Sequence, residues 1–244
     1  MFARSILTAL ALVAAHSHAA TLIEIKTPEG QATVYRDGVR SRMDTGDGYM
    51  LVDSQAGTML MVVPKERQVM DMSAMLNTAP PTDSGDQPTL SFKKIGEGAA
   101  IAGYATTHYQ FTTGGKACGS VLASGQALKD SGLADTFEIM QRMTARADAL
   151  MAVFNTNADP CQRASTRFTH HLEKIGIPMR VTLADGQLLS EVVRIEKNAR
   201  LPPDAFTVPA DYQVQQTGQL LQQLPNLKEM MQNLPNLKEL MQQR

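Results

Sequence analysis

Apolar and polar residues alternate in short blocks from Thr21 to Ser73, with the two-residue period of strands and almost no helical periodicity. The blocks are Thr21-Lys26, Gln31-Arg36, Val39-Met43, Tyr49-Asp53, Thr58-Val63 and Gln68-Met72. Pro28-Glu29-Gly30, Asp37-Gly38, Asp47-Gly48 and Gln55-Ala56-Gly57 punctuate them. Links this short join antiparallel neighbours, so the pattern predicts a meander.

Residues 77 to 90 hold three prolines and no apolar pattern, which predicts a surface loop between two strand blocks. Strand patterning continues at Ser91-Ile95 and Ile101-Phe111, and again at Pro178-Leu183 and Leu188-Ile195, the last two joined by the turn Ala184-Asp185-Gly186-Gln187. Between them the period changes. Leu133, Phe137, Met140, Met143, Leu150, Met151 and Phe154 fall at three- and four-residue steps, which predicts one long helix. Ser131 is placed to cap its start, and Asn155 to Pro160 to end it. The chain thus reads as α+β, with some ten strands around one long helix.

Both ends differ from this body. Arg4, the apolar run Ile6 to Ala15 and the small residues Ala19 and Ala20 have the order of a secretory signal peptide, residues 1 to 19. The apolar run is half the length of a bilayer span of about 20 residues. No cysteine stands near the cleavage point to accept a lipid, so the exported chain is expected to be a soluble periplasmic protein with no transmembrane anchor. The other end, residues 213 to 244, carries a tandem ten-residue repeat, Leu224-Pro-Asn-Leu-Lys-Glu-Met-Met-Gln-Asn233 and Leu234-Pro-Asn-Leu-Lys-Glu-Leu-Met-Gln-Gln243. Leu224, Leu227, Met231, Leu234, Leu237 and Met241 would form one apolar stripe on a helix, broken or kinked at Pro225 and Pro235. With Lys228, Lys238 and Arg244 against Glu229 and Glu239, this amphipathic tail is better suited to a protein partner or self-association than to an anionic membrane.

Composition narrows the function. A net charge of −1 excludes the basic footprint of a nucleic-acid binder. There is no tryptophan, but there are fifteen methionines, so the apolar set is aliphatic and soft. The only cysteines, Cys118 and Cys161, are expected to pair in an oxidising compartment, stabilising the fold by roughly 4 kcal/mol in the chain-entropy estimate. Gly-x-Ser-x-Gly, His-Glu-x-x-His and a cysteine with a histidine partner are all missing, so no catalytic residue and no cofactor is expected.

Three stretches carry a likeness to known proteins: Tyr49-Met-Leu-Val-Asp53 leading to Thr58-Met-Leu-Met-Val-Val-Pro64, then Ile101-Ala-Gly-Tyr104 with His108-Tyr109, then Gly176-Ile-Pro-Met-Arg-Val181 running to Phe206-Thr-Val-Pro209. They resemble an uncharacterised bacterial envelope family related to the LolA-like lipoprotein carriers. The resemblance implies, for residues 20 to 212, a curved, incompletely closed antiparallel sheet (a half-barrel) with helix packed on it and a hydrophobic cavity for acyl chains. The methionine-rich set and the repeat tail set this chain apart from those carriers, which widens the expected ligand to a lipid, an acyl chain or a hydrophobic envelope-protein segment.

The residues expected to line such a cavity are Met43, Leu51, Met59, Met61, Met70, Met72, Tyr109, Phe111, Met179 and Val181, the alternative being a filled core. Met59-Leu-Met61 and Met70-Asp-Met72 also have the spacing of thioether copper(I) ligands, with His108 and His170-His171 as candidate additions; plain core packing is the default, and no metal site is assigned from the sequence. A third reading is a structural module acting through the tail. Mass spectrometry of the exported protein tests the leader: the mature chain should begin at Ala20 or Thr21.

Overall fold

Turn residues at short intervals fold the first block into six strands: β1 (Thr21–Thr27), β2 (Gly30–Asp37), β3 (Arg40–Thr45), β4 (Gly48–Asp53), β5 (Thr58–Val63) and β6 (Gln68–Asp71). Each is antiparallel to the next. The computed structural model describes residues 20–77, 90–154, 160–161 and 168–217. The expected signal peptide at 1–19, residues 78–89 of the proline-rich loop and the repeats beyond 217 lie outside the described residues.

A second meander comprises β7 (Leu90–Ile101), β8 (Tyr104–Thr113), β9 (Lys116–Ser124), β10 (Ile177–Leu183) and β11 (Leu188–Lys197). Pairing of β1 with β11 from Thr21↔Lys197 to Lys26↔Glu191 joins the two meanders edge to edge. The result is one large, open, curved sheet in the order β12-β6-β5-β4-β3-β2-β1-β11-β10-β9-β8-β7.

Three features depart from the sequence expectation. Ile101 and Phe111 do not share one strand, because Ala102 and Gly103 adopt left-handed φ values of 48° and 83° and form the two-residue turn between β7 and β8. Strand β9 stands where small residues and glycine masked a strand pattern. The last strand, β12 (Gln213–Gln216), is mostly polar and exposed along its length, and it pairs parallel to β6. The sheet is therefore antiparallel in every pair but one, and it ends at Gln216 rather than at the expected boundary of 212. Its register is held by Gln213 N–H donating to the Arg67 carbonyl and by Thr217 Oγ1 donating to the Asp71 carbonyl.

The helices lie along one face of the sheet. They are α1 (Ser73–Asn77), α2 (Gly125–Ser131) and α3 (Ala134–Phe154), followed by turns at Phe168–His171 and Leu172–Ile175. Ser124 caps α2, its hydroxyl accepting from Ala127 N–H, while the hydroxyl of Ser131, the last residue of α2, accepts from Leu133 N–H at 3.4 Å just before α3. Helix α2 and the start of α3 cover Ile23, Val34, Met179 and Val192. A buried hydrogen bond of 2.6 Å between the Ser41 and Thr136 hydroxyls ties β3 to the first turn of α3. No helix among the described residues is long and apolar enough to cross a membrane.

On the opposite face Phe206, Val208 and Tyr212 pack on Tyr49, Leu51, Val62 and Val69 of β4 to β6. Arg42 pins this covering strap. Its guanidinium lies 3.8 Å from the Tyr49 ring centre, while Nη1 donates to the Ala205 carbonyl at 3.0 Å and Nε to Asp44 at 2.6 Å.

Cys118 on β9 and Cys161 form a disulfide with a Cα–Cα distance of 5.1 Å, and both are buried. Because the bridge fastens the chain beyond α3 to the sheet, the double variant Cys118→Ala/Cys161→Ala should remain folded but lose about 2–4 kcal/mol in urea unfolding. Dithiothreitol should lower the midpoint of the native protein and leave that of the variant unchanged.

A methionine-walled cavity as candidate functional site

Antiparallel register brings methionines from separate strands side by side. Met43 faces Met50, Met50 faces Met61 and Met61 faces Met70, a row running across β3, β4, β5 and β6. In the next row Val52 faces Met59, and Met72 N–H donates to the Met59 carbonyl at 2.8 Å. Residues two apart on a strand point the same way, so Met59 and Met61 join the two rows on the helix-bearing face.

Helix α3 supplies the other wall. Ile139 is buried against Val52, Met59 and Leu76, and Met140 and Met143, one helical turn apart, pack beside it. Met50, Met59, Met61, Met72, Met140, Met143 and Thr144 enclose a cavity of about 120 Å³. Met59 is 2 % exposed, whereas the other five methionines are partly exposed, so the cavity opens at its rim. The one hydroxyl in the wall is already satisfied, since Thr144 Oγ1 donates to the Met140 carbonyl at 2.9 Å.

Met72 is positioned by a polar hinge. Asp71 accepts from Ser73 N–H at 2.9 Å, Ser73 Oγ accepts from Met59 N–H at 3.1 Å, and α1 begins there. Burial alone would raise the Asp71 carboxyl, but hydrogen bonds from Ser73 and Gln216 outweigh it and hold the group below the usual carboxylate range. None of the described residues lining the cavity is titratable. Its interior is apolar, polarisable and uncharged.

Of the residues the sequence pattern nominated, Met59, Met61 and Met72 line this cavity, and Met43 and Met70 extend the same row beyond it. The rest sit elsewhere. Leu51 faces the opposite side under the 206–212 strap. Met179 is fully buried beneath α2. Tyr109, Phe111 and Val181 pack around the disulfide, where Phe111 and Phe168 meet edge to face at 4.9 Å. The tail residues Leu224, Leu227, Met231, Leu234, Leu237 and Met241 lie outside the described residues.

No histidine joins the cavity. His108 is on β8, at the far side of the sheet from β5. His171 stacks on Phe92 at 5.0 Å, and burial, then the neighbouring Lys174 and His170, push its pKa down. Met50, Met140 and Met143 are the additions that the structure makes. Their signal was the three-residue step on the helix and the Met43–Met50–Met61 register, which becomes visible only once hairpin pairing is assigned.

A family model described as a domain of unknown function, DUF4412, matches residues 30–212. No curated protein matches the sequence. Among solved structures, a chain of the Pseudomonas aeruginosa MucA/MucB complex is 12% identical with a TM-score of 0.37, over 81% of this chain and 58% of that one. A crystal structure of MucB is 12% identical with a TM-score of 0.35, over 82% of this chain and 60% of that one. The present chain thus spans about three fifths of the length of those it resembles.

The cavity makes the wall methionines unequal. Met59→Ala should cost about 2–5 kcal/mol in urea unfolding, and Met59→Leu under about 1.5 kcal/mol, because leucine keeps the volume. Met143→Ala at the open rim should cost about 1 kcal/mol or less.

Proposed function

We propose that this chain, which belongs to the DUF4412 family, is a non-enzymatic binding protein of the bacterial cell envelope, exported to the periplasm, that takes an apolar ligand group into the methionine-walled cavity. The observation that carries this reading is the convergence of six thioether side chains, five of them partly exposed, on one apolar space between sheet and helix. Unbranched methionine side chains re-pack at little cost, so such a wall adapts to ligands of irregular shape.

Volume narrows the ligand. About 120 Å³ is close to the roughly 150 Å³ of apolar cavities that accept a benzene ring, and below the roughly 300–1,000 Å³ of pockets that bury a drug-sized molecule. The occupant that fits is a chain end or one bulky apolar side chain of an envelope-protein segment, with an acyl chain entering by its terminus. The described residues of the wall include no acid, base or thiol, and both cysteines are joined in the disulfide, which supports a binding rather than a catalytic reading.

The C-terminal tail bears on the same site. Thr217, the last described residue, donates to the Asp71 carbonyl next to Met72, and the leucine–methionine repeats that follow from residue 224 are a candidate internal competitor for an outside ligand. The amphipathic stripe would then serve as partner-binding or self-binding sequence.

Titration with the fluorescent apolar probe N-phenylnaphthylamine, alongside native mass spectrometry of protein taken from the periplasm, tests the reading. The probe should bind once per chain, and Met143→Glu should weaken it by about tenfold or more by placing a charge at the rim. Affinity should change by less than about twofold between about pH 5 and about pH 8, because no wall residue titrates in that range. Absence of both probe binding and any co-purified apolar adduct would overturn the proposal.

A further inference from the structure

The same wall that suits an apolar group also has the donor chemistry of a soft metal site. We propose that the cavity is a thioether site for a soft monovalent cation of the copper(I) class, held by sulfurs drawn from Met50, Met59, Met61, Met72, Met140 and Met143. The inference rests on the cavity itself and not on the apolar-ligand reading, and the ion is taken up and released without a change of oxidation state.

Four observations carry it. First, thioether sulfur is an uncharged, polarisable donor that selects copper(I) over the harder ions favoured by carboxylates and carbonyls. Second, a site of three or four such donors needs sulfurs approaching from different directions. Here Met50 and Met61 stand directly opposite on adjacent strands, Met59 lies two residues from Met61 on the same face, and Met140 and Met143 come from the helix across the gap. Third, no carboxylate is among the described residues lining the wall, and among those residues burying a divalent ion would be far more unfavourable than burying a monovalent one. Fourth, five of the six sulfur-bearing side chains are partly exposed, which provides an entry path that a sealed core lacks. Among the described residues there is no cluster of three or more histidine, cysteine, aspartate or glutamate side chains able to hold a metal, so no conventional site competes.

The structure also changes which residues belong to the site. The paired Met-x-Met spacing named Met59, Met61, Met70 and Met72 with histidines beside them. Tertiary packing leaves Met70 outside the wall, removes the histidines and adds Met50, Met140 and Met143. An all-thioether set binds independently of pH across the range where histidine titrates, unlike a mixed site.

Silver(I) is the probe of choice, because it shares this chemistry and needs no reductant. The full exported chain is titrated with silver nitrate in chloride-free buffer and read by native mass spectrometry and calorimetry. One silver ion per chain is expected at the cavity. Met61→Leu/Met143→Leu should weaken it by about a hundredfold or more by deleting two soft donors. A second pair, Met72→Leu/Met140→Leu, should do the same, and both variants should keep the native circular dichroism spectrum because leucine preserves volume. A tail variant, Met230→Leu/Met231→Leu/Met241→Leu, should bind silver as the native chain does. The proposal is overturned if no one-to-one complex forms, if neither cavity pair changes the affinity, or if the tail variant is the one that loses the ion. N-phenylnaphthylamine binding is measured on the same samples. Silver binding without probe binding would sink the apolar reading alone, and probe binding without silver would sink the metal site alone.

Discussion

The pairing of β1 with β11 is the contact on which the rest of the structure depends. It joins Thr21 to Lys197, almost the whole described chain apart in sequence, and through it two meanders become one sheet. The first meander needs only local hairpin turns and the second adds the helical excursion of residues 125–176 between β9 and β10, whereas this seam must close a loop of well over a hundred residues before any of its hydrogen bonds form. The entropy of that closure has to be met by apolar burial, and the seam is buried. Ile23 on β1 and Val192 on β11 are almost inaccessible, packed with Val34 and Met179 beneath α2 and the start of α3. A polar substitution at Ile23 would therefore be felt across the whole sheet.

Once the seam is closed, the helices have one face to occupy. Helix α3 starts over the centre of the sheet, where Ser41 and Thr136 lock its first turn, and proceeds towards β4 to β6, where it meets the methionine rows. The disulfide fastens the chain again beyond it, at β9. The cavity results from this geometry. A helix held at its start and tied down after its end crosses a twisted sheet at a fixed height, and long flexible thioethers line the residual gap. The same softness that allows them to fill it allows a ligand or an ion to displace them.

An open sheet must also manage its two edges. Strand β7 carries Lys93, Lys94 and Glu97, and its register with β8 shifts between Lys94 and Gly96 and again between Gly98 and Ile101, which discourages a further strand from adding. At the other edge the short polar strand Gln213–Gln216 covers β6, and its parallel direction brings the chain out at Thr217, beside the hinge that sets Met72. An edge solution and a functional position thus coincide at one end of the molecule.

Much of this was legible in the sequence because it is local. Period-two alternation with Gly, Asp and Pro turns determined the first meander, the three- and four-residue steps of Leu133 to Phe154 marked out α3, and the even cysteine count in a chain expected to be exported implied the bridge. Strand β9 was hidden by its small residues, and β12 by a polar composition that a sheet edge tolerates and an alternation rule does not detect. The cavity was legible only in part. Met59 and Met61 follow from spacing on one strand, but Leu51, Tyr109, Phe111, Met179 and Val181 looked equivalent to them, since periodicity shows that a residue is apolar and which neighbours share its face, and does not show which element covers that face. The sequence by itself determined the local elements, the soft thioether content and the disulfide pair. Only the tertiary structure decided that Met50, Met61, Met72, Met140 and Met143 meet, because their convergence depends on strand register and on where α3 crosses, both set by contacts between residues far apart along the chain.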